Sequence, residues 1–179
     1  MKKVFALLTV LCLLCSCCAF ADEVVEISWE DVEEAAANYP GSIQNLGVYS
    51  MGMYIPDSFQ AVEITEEQKA AGIFFILQNE AGYRIVGTYQ SLGDNNVEYL
   101  IDELQKAGAT GIAEISINEL PAIEYDLQTA DGVQSSSLVY YNANDNTFLT
   151  LSFAPTDNED FQEVAKVIMA SIQLVSEEE

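Results

Sequence analysis

Ile73-Phe74-Phe75-Ile76-Leu77 is the stretch whose reading decides the fold. Successive side chains of an extended strand point to opposite sides, so five apolar residues in a row put large side chains on both faces. Such a strand needs cover above and below. The run therefore predicts a central strand in a three-layer structure and argues against an open sheet with one wet face. Glu80-Ala81-Gly82 turns the chain behind it, and Tyr83 to Tyr89 is predicted to return beside it as a hairpin partner.

Downstream, Val97, Leu100, Ile101, Leu104 and Ala107 keep helical spacing, with Asp94 or Asn95 as the expected cap and Gly108 as the stop. Three strands follow, at Gly111 to Ile117, Ala122 to Gln128 and Val133 to Tyr141, and a fourth at Thr147 to Phe153. Phe161, Val164, Ala165, Ile168, Met169 and Ile172 then form one stripe of a closing helix capped by Asp157 or Asn158. Upstream, Ser28 is the expected cap of a helix running from Trp29 to about Asn38, and Pro40-Gly41 ends it. Ser42 to Pro56 reads as two short strands joined by a turn, and Thr65 to Gln68 as a capping box. Short turns between consecutive strands demand antiparallel pairing, and the helices must cover the sheet faces. The expected fold class is α+β, an antiparallel sheet of about six to seven strands in an α/β/α sandwich. One domain is drawn from 29 to 175, after a lead-in at 22–28 and before an acidic tail at 176–179.

The ends of the chain carry a different message. Lys2 and Lys3 form a basic start, Val4 to Leu14 is almost unbroken apolar sequence, and Ala19-Phe20-Ala21 is a small-x-small site. Together they predict a signal peptide at 1–21 with cleavage after Ala21. The apolar run is far shorter than the ~20 residues of a spanning helix, and no later run is as long, so no transmembrane span is expected. Leu14-Cys15-Ser16-Cys17 also resembles a bacterial lipobox, which makes Cys17 a candidate lipidation site and a lipid anchor the second reading. Both readings place the folded part outside the cytoplasm, extracellular or at the cell surface.

The chain of 179 residues has 6 Lys+Arg against 29 Asp+Glu, and no His. From residue 22 onward only Lys69, Arg84, Lys106 and Lys166 oppose all 29 acids, a net charge of −25. Four scattered cations cannot release enough counterions to hold a phosphate backbone, so nucleic acid is excluded as a partner and an anionic lipid surface is disfavoured. Cys-His and Ser-His relays are excluded because the chain has no His and its four cysteines lie within the leader. No nucleotide or nucleophile motif is present, and no catalytic residue, cofactor or metal is assigned. Asp157-Asn158-Glu159-Asp160 and Asn142 to Asn146 are the densest oxygen clusters, and a helix cap and a tight turn explain them without Ca²⁺. Trp29, Tyr140 and Tyr141 are the candidate contact residues. Tyr140 and Tyr141 are adjacent on one strand, so they must face opposite layers.

Met53-Tyr54-Ile55-Pro56-Asp57-Ser58-Phe59, then Ile117-Asn118-Glu119-Leu120-Pro121-Ala122-Ile123-Glu124-Tyr125, and the closing helix ending in Ala170-Ser171-Ile172 together resemble the PsbP-like fold. This is the α/β/α sandwich of the extrinsic photosystem II protein and its bacterial relatives. Glu119 stands where those relatives often have Gly. The resemblance implies a non-enzymatic binding or assembly module, here an exported one at or outside the cell envelope. Its expected partner is an unknown protein or cell-envelope component, cationic if the charge serves recognition. The alternative is a secreted or lipid-anchored protein that binds a small ligand or Ca²⁺ in a pocket between sheet and helix. A carboxylate-based hydrolase stands third.

Overall fold

The main sheet grows outward from the four strands at 110–154, which follow one another with short turns and pair in sequence. The structure, a computed structural model, describes residues 24–129 and 132–175. The predicted signal peptide at 1–21, with Cys17, Ala19 and Ala21, and the acidic tail at 176–179 lie outside the described residues. In chain order the elements are β1 (Val25–Ile27), a 3-10 turn (Trp29–Asp31), α1 (Glu33–Ala36), β2 (Gly41–Asn45), β3 (Met51–Pro56), β4 (Gln60–Ala61), α2 (Glu66–Ala70), β5 (Ile73–Gln78) and β6 (Arg84–Ser91). Then come α3 (Val97–Lys106), β7 (Thr110–Ile117), β8 (Leu120–Gln128), β9 (Gln134–Asn142), β10 (Thr147–Ala154), α4 (Glu159–Ala170) and β11 (Gln173–Leu174).

Eight strands form the main sheet in the order β1-β7-β8-β9-β10-β6-β5-β4, and β11-β3-β2 form a second sheet of three. All described pairings are antiparallel except β1 with β7. The α+β class and the three layers stand, with more strands than expected. The extra main-sheet strands are β1 and β4, pieces of three and two residues that are too short to show an alternation. The hairpin β2–β3 does not join the main sheet. Its inner strand packs Met51, Met53 and Ile55 into the core beside α4, while β2 faces outward.

Ile85, Ile115, Ile117, Leu138, Leu149, Leu151 and Phe153 of the main sheet meet Phe161, Val164, Ala165 and Ile168 of α4 and the inner face of β3 in one core. On the opposite face Ile123, Tyr125, Val139 and Phe148 meet Leu100, Val97, Ile101 and Leu104 of α3. The layers are therefore α3, the eight-stranded sheet, and α4 sharing a layer with the small sheet. The closing helix is capped by Asn158, one of its two expected caps, whereas α3 is capped by Asn96, one residue beyond the expected Asp94 or Asn95. Asn96 Oδ1 accepts from Tyr99 N at 3.1 Å, and Asn158 Oδ1 accepts from Phe161 N at 3.0 Å.

Two expectations need correction. The helix from Trp29 to Asn38 is two pieces, because Val32 at φ −124° and ψ −2° leaves the helical region between them. Asp31 still serves the start, accepting from Ser28 N at 3.1 Å and Ser28 Oγ at 3.2 Å. Ile73 to Leu77 is not central, since β5 lies second from the edge with only β4 beyond it. A bulge between Ile73 and Phe75 turns Phe74 and Phe75 toward the same core, and Ile76 is the buried residue of the run. Ser135-Ser136-Ser137 lies on β9, in the middle of the sheet. Ser135 Oγ donates to Leu127 O at 3.0 Å, and Ser137 and Ser152 hydroxyls pair at 2.9 Å, so the buried hydroxyls are satisfied across neighbouring strands.

Candidate functional site

Alternation along β8 puts Ile123, Tyr125 and Leu127 against α3 and leaves Ala122, Glu124 and Asp126 on the α4 side. Ala122 enters the core, but α4 does not cover the far end of the strand. A cleft of about 400 Å³ remains there, lined among others by Glu124, Asp126, Gln134, Asp157, Gln162 and Lys166. Its outer wall is fixed by one backbone bond, Thr156 N donating to Gln134 O at 2.9 Å, and one side-chain bond, Gln162 Nε2 donating to Thr156 O at 2.6 Å. Partial burial raises the Glu124 carboxyl above its ordinary range, and the neighbouring Asp126 charge adds to the rise. A half-buried Glu124 beside exposed Asp126 and Asp157, with a lysine at the rim, suits a cationic or hydrogen-bonding guest. The sequence reading missed this pair, although the placement of Glu124 and Asp126 on the same face as Ala122 was its signal. Among the described residues no group of three acids is placed to hold a metal ion.

The predicted contact residues do not converge. Trp29, half-buried in the 3-10 turn, packs on Tyr54 with ring centres 5.6 Å apart, and its backbone N–H donates to Asn118 Oδ1 at 2.8 Å. Tyr140 is buried in the α4-side core, while Tyr141 packs half-buried on the α3 side and its hydroxyl donates to Asn146 Oδ1 at 2.7 Å. The opposite orientations follow from the strand period, as expected. Both tyrosines nevertheless reach a second cavity of about 410 Å³, where the end of β9 meets the β2–β3 loop and β11.

Tyr49 belongs to that loop, at φ +54°. Its hydroxyl meets Thr147 Oγ1 at 2.5 Å, Tyr89 Oη donates to the same oxygen at 3.2 Å, and Thr147 in turn donates to Asp145 Oδ1 at 2.6 Å. One hydroxyl thus uses its donor and both acceptor sites. Burial pushes the Tyr49 phenol up to about 12.

No family model matches this chain, and no curated protein does. Among solved structures it is similar to cyanobacterial PsbP (CyanoP) from Synechocystis sp. PCC 6803, with a TM-score of 0.51 and 9% identity over 75% of this chain and 92% of that one. The Ran-binding protein Mog1p of Saccharomyces cerevisiae gives a TM-score of 0.47 at 10% identity, over 77% of this chain and 97% of that one. A protein from Bacteroides thetaiotaomicron VPI-5482 gives 0.41 at 17% identity, over 71% of this chain and 46% of that one. The first likeness shows a PsbP-like fold, so the resemblance read from the sequence holds at the level of the fold.

Proposed function

We propose that the protein is an exported, non-enzymatic binding module that docks a cationic protein or cell-envelope component on the acidic face formed by its N-terminal segment and α4. The observation that carries this reading is the arrangement of charge. The 3-10 turn and α1 present exposed Glu30, Asp31, Glu33 and Glu34, and both lie against α4, whose outer side presents exposed Asp160 and Glu163. The field of the last two is felt locally, since burial first and then the Glu163 and Asp160 charges raise the Tyr39 phenol. Lys69 and Lys106 are paired within their own helices, to Glu66 at 2.6 Å and Glu103 at 2.8 Å, and Arg84 is held by Gln78. Little positive charge is left to neutralise the face from within. A partner bearing Lys or Arg would be steered to it, with affinity that falls as salt rises. Export is supported by the basic, apolar and small-x-small order of the first 21 residues.

The test is titration with a lysine-rich peptide, followed by amide chemical shifts. The expected result is perturbation at Glu30–Glu34 and Asp160–Glu163, loss of binding at 0.5 M NaCl, and loss in a Glu33→Lys, Glu34→Lys, Glu163→Lys variant that melts no lower than the unaltered protein. The same variant should lose salt-eluted partners from an envelope extract. Binding indifferent to both salt and the variant would sink the proposal.

A further inference from the structure

Three of the four outermost strands are very short, β1 with three residues and β4 and β11 with two each, and shortness is one way an edge avoids unwanted pairing. The fourth is β2, with five residues, paired to β3 on one side and to no strand on the other among the described residues. Its hydrogen-bond register fixes which groups face that open side. Leu46 N donates to Met51 O and Asp57 N donates to Pro40 O, both at 2.8 Å, so Pro40 and Leu46 turn toward β3, and the two-residue period adds Ser42 and Gln44. The N–H and C=O groups of Ile43 and Asn45 therefore point outward. We infer that this edge receives an extended segment of the partner protein, which pairs with Ile43 and Asn45 as an added strand, sets an apolar side chain beside Ile43 and carries Lys or Arg at the Gly41 end.

The usual guards of an edge are missing from β2. Residues 41–56 contain no charged side chain, β2 has no proline, and its register with β3 is continuous, without a bulge. Four of its five residues are exposed, Ile43 at 39%. In such an added strand the main-chain bonds supply affinity and alternate side chains supply specificity. Ile43 lies opposite Tyr54, and opposed residues share a face, so an apolar side chain on the added strand continues the row from Ile43 to Tyr54, on which Trp29 packs. Charge selects the rest of the segment. Pro40 O accepts from the exposed Asp57, and Tyr39 Oη donates to Glu163 Oε2 at 3.4 Å, so β2 begins where the acidic face ends. A basic side chain there meets carboxylates, whereas a second copy of this chain would bring its own acids against mutual repulsion. The choice of a basic segment rests on the acidic-face reading, whereas the pairing does not.

The probe is a capped peptide of alternating Thr and Val with two Lys at each end, set against the same peptide with its central amides N-methylated, which keeps the charge and cannot pair. The expected result is that the first binds the exported chain at least about tenfold tighter, with amide shifts at Ile43 and Asn45, and that Ile43→Pro abolishes the difference. The Ile43 N–H does not bond to β3, so proline is tolerated at that edge position, and the contrast between peptides in the unaltered chain carries the test if the variant does not fold. If affinity and contrast both persist at 0.5 M NaCl and in the Glu33→Lys, Glu34→Lys, Glu163→Lys variant, the added strand stands and the acidic face is overturned. Equal or absent binding of the two peptides, a contrast that survives Ile43→Pro, or a dimer of the free chain that Ile43→Pro dissolves in sedimentation would each overturn the inference.

Discussion

Asn118 and Glu119 form the two-residue turn between β7 and β8 with φ of +47° and +68°. Asn tolerates that region, whereas Glu is strained there. Glu119→Gly should therefore raise unfolding stability by about 0.5–1 kcal/mol, read by urea denaturation, because the relief of strain outweighs glycine's greater unfolded-state freedom. Asn118 does more than turn the chain. Its Nδ2 donates to Ala170 O and Ile172 O, both at 2.8 Å, while its Oδ1 accepts from Trp29 N at 2.8 Å, so one amide ties the end of α4 to the N-terminal turn. Asn118→Ala should cost about 3 kcal/mol in the same assay, since three part-buried backbone groups lose their partner. The sequence displayed the turn and the departure from Gly, but partners 52 to 89 residues away leave no local pattern. Glu124 gives a prediction with the opposite sign. Its raised folded-state pKa means that ionisation opposes folding, so that stability is greatest with the group protonated and falls as pH rises through the carboxylate range. Glu124→Gln should melt higher than the unaltered protein at pH 7, and the difference should vanish as pH is lowered below the ordinary glutamate pKa. A variant that melts lower at pH 7 would show that the carboxylate has a compensating partner.

The elements show where pattern reading succeeds and where it stops. Periodicity of 3.6 placed α3 and α4, and alternation placed β7 to β10, because each has a long face buried against a single layer. The run at 73–77 announced cover on both faces, and the three layers are there. Its place in the sheet was hidden, because strand order depends on which partners the hairpins bring together and not on the strand's own composition. The same holds for the cavity at the end of β9. Tyr140 and Tyr141 were visible as an adjacent pair, but Leu120, Leu174 and Tyr49 come from three other segments that meet there only in the folded chain. The edge region also carries a packing requirement. Phe75 pairs opposite Gly87 on β6, and a Cβ at Gly87 would lie 2.7 Å from Phe75 Cδ1 and Cζ. An aromatic ring held between strands cannot yield by that much. Gly87→Ala is expected to destabilise by about 1–3 kcal/mol, and Phe75→Leu in the same chain should recover part of the loss. Strict additivity of the two substitutions would show that the ring and the glycine do not act as a pair.

At the scale of the whole molecule the charge acts on the fold itself. Most of the 29 acids are exposed, and both described ion pairs are short-range contacts within one helix, which contribute little. The folded state therefore holds negative charge closer together than the unfolded chain does, and self-repulsion works against compaction. Screening weakens that repulsion as the Debye length falls from roughly 30 Å at 0.01 M to about 8 Å at 0.15 M salt. The melting temperature should rise by roughly 3–6 °C between 10 mM and 300 mM NaCl, equivalent to about 1–2 kcal/mol for a chain of this size. A site that captures Ca²⁺ would behave differently, because binding stabilises by mass action at concentrations too low to screen. Comparing 2 mM CaCl₂ with NaCl at matched ionic strength, by differential scanning calorimetry, separates the two. Equal melting temperatures assign the charge to screening and to long-range attraction of a cationic partner. A rise with Ca²⁺ alone would mean that carboxylates converge on one ion, and the acidic face would then need to be reconsidered as a metal site.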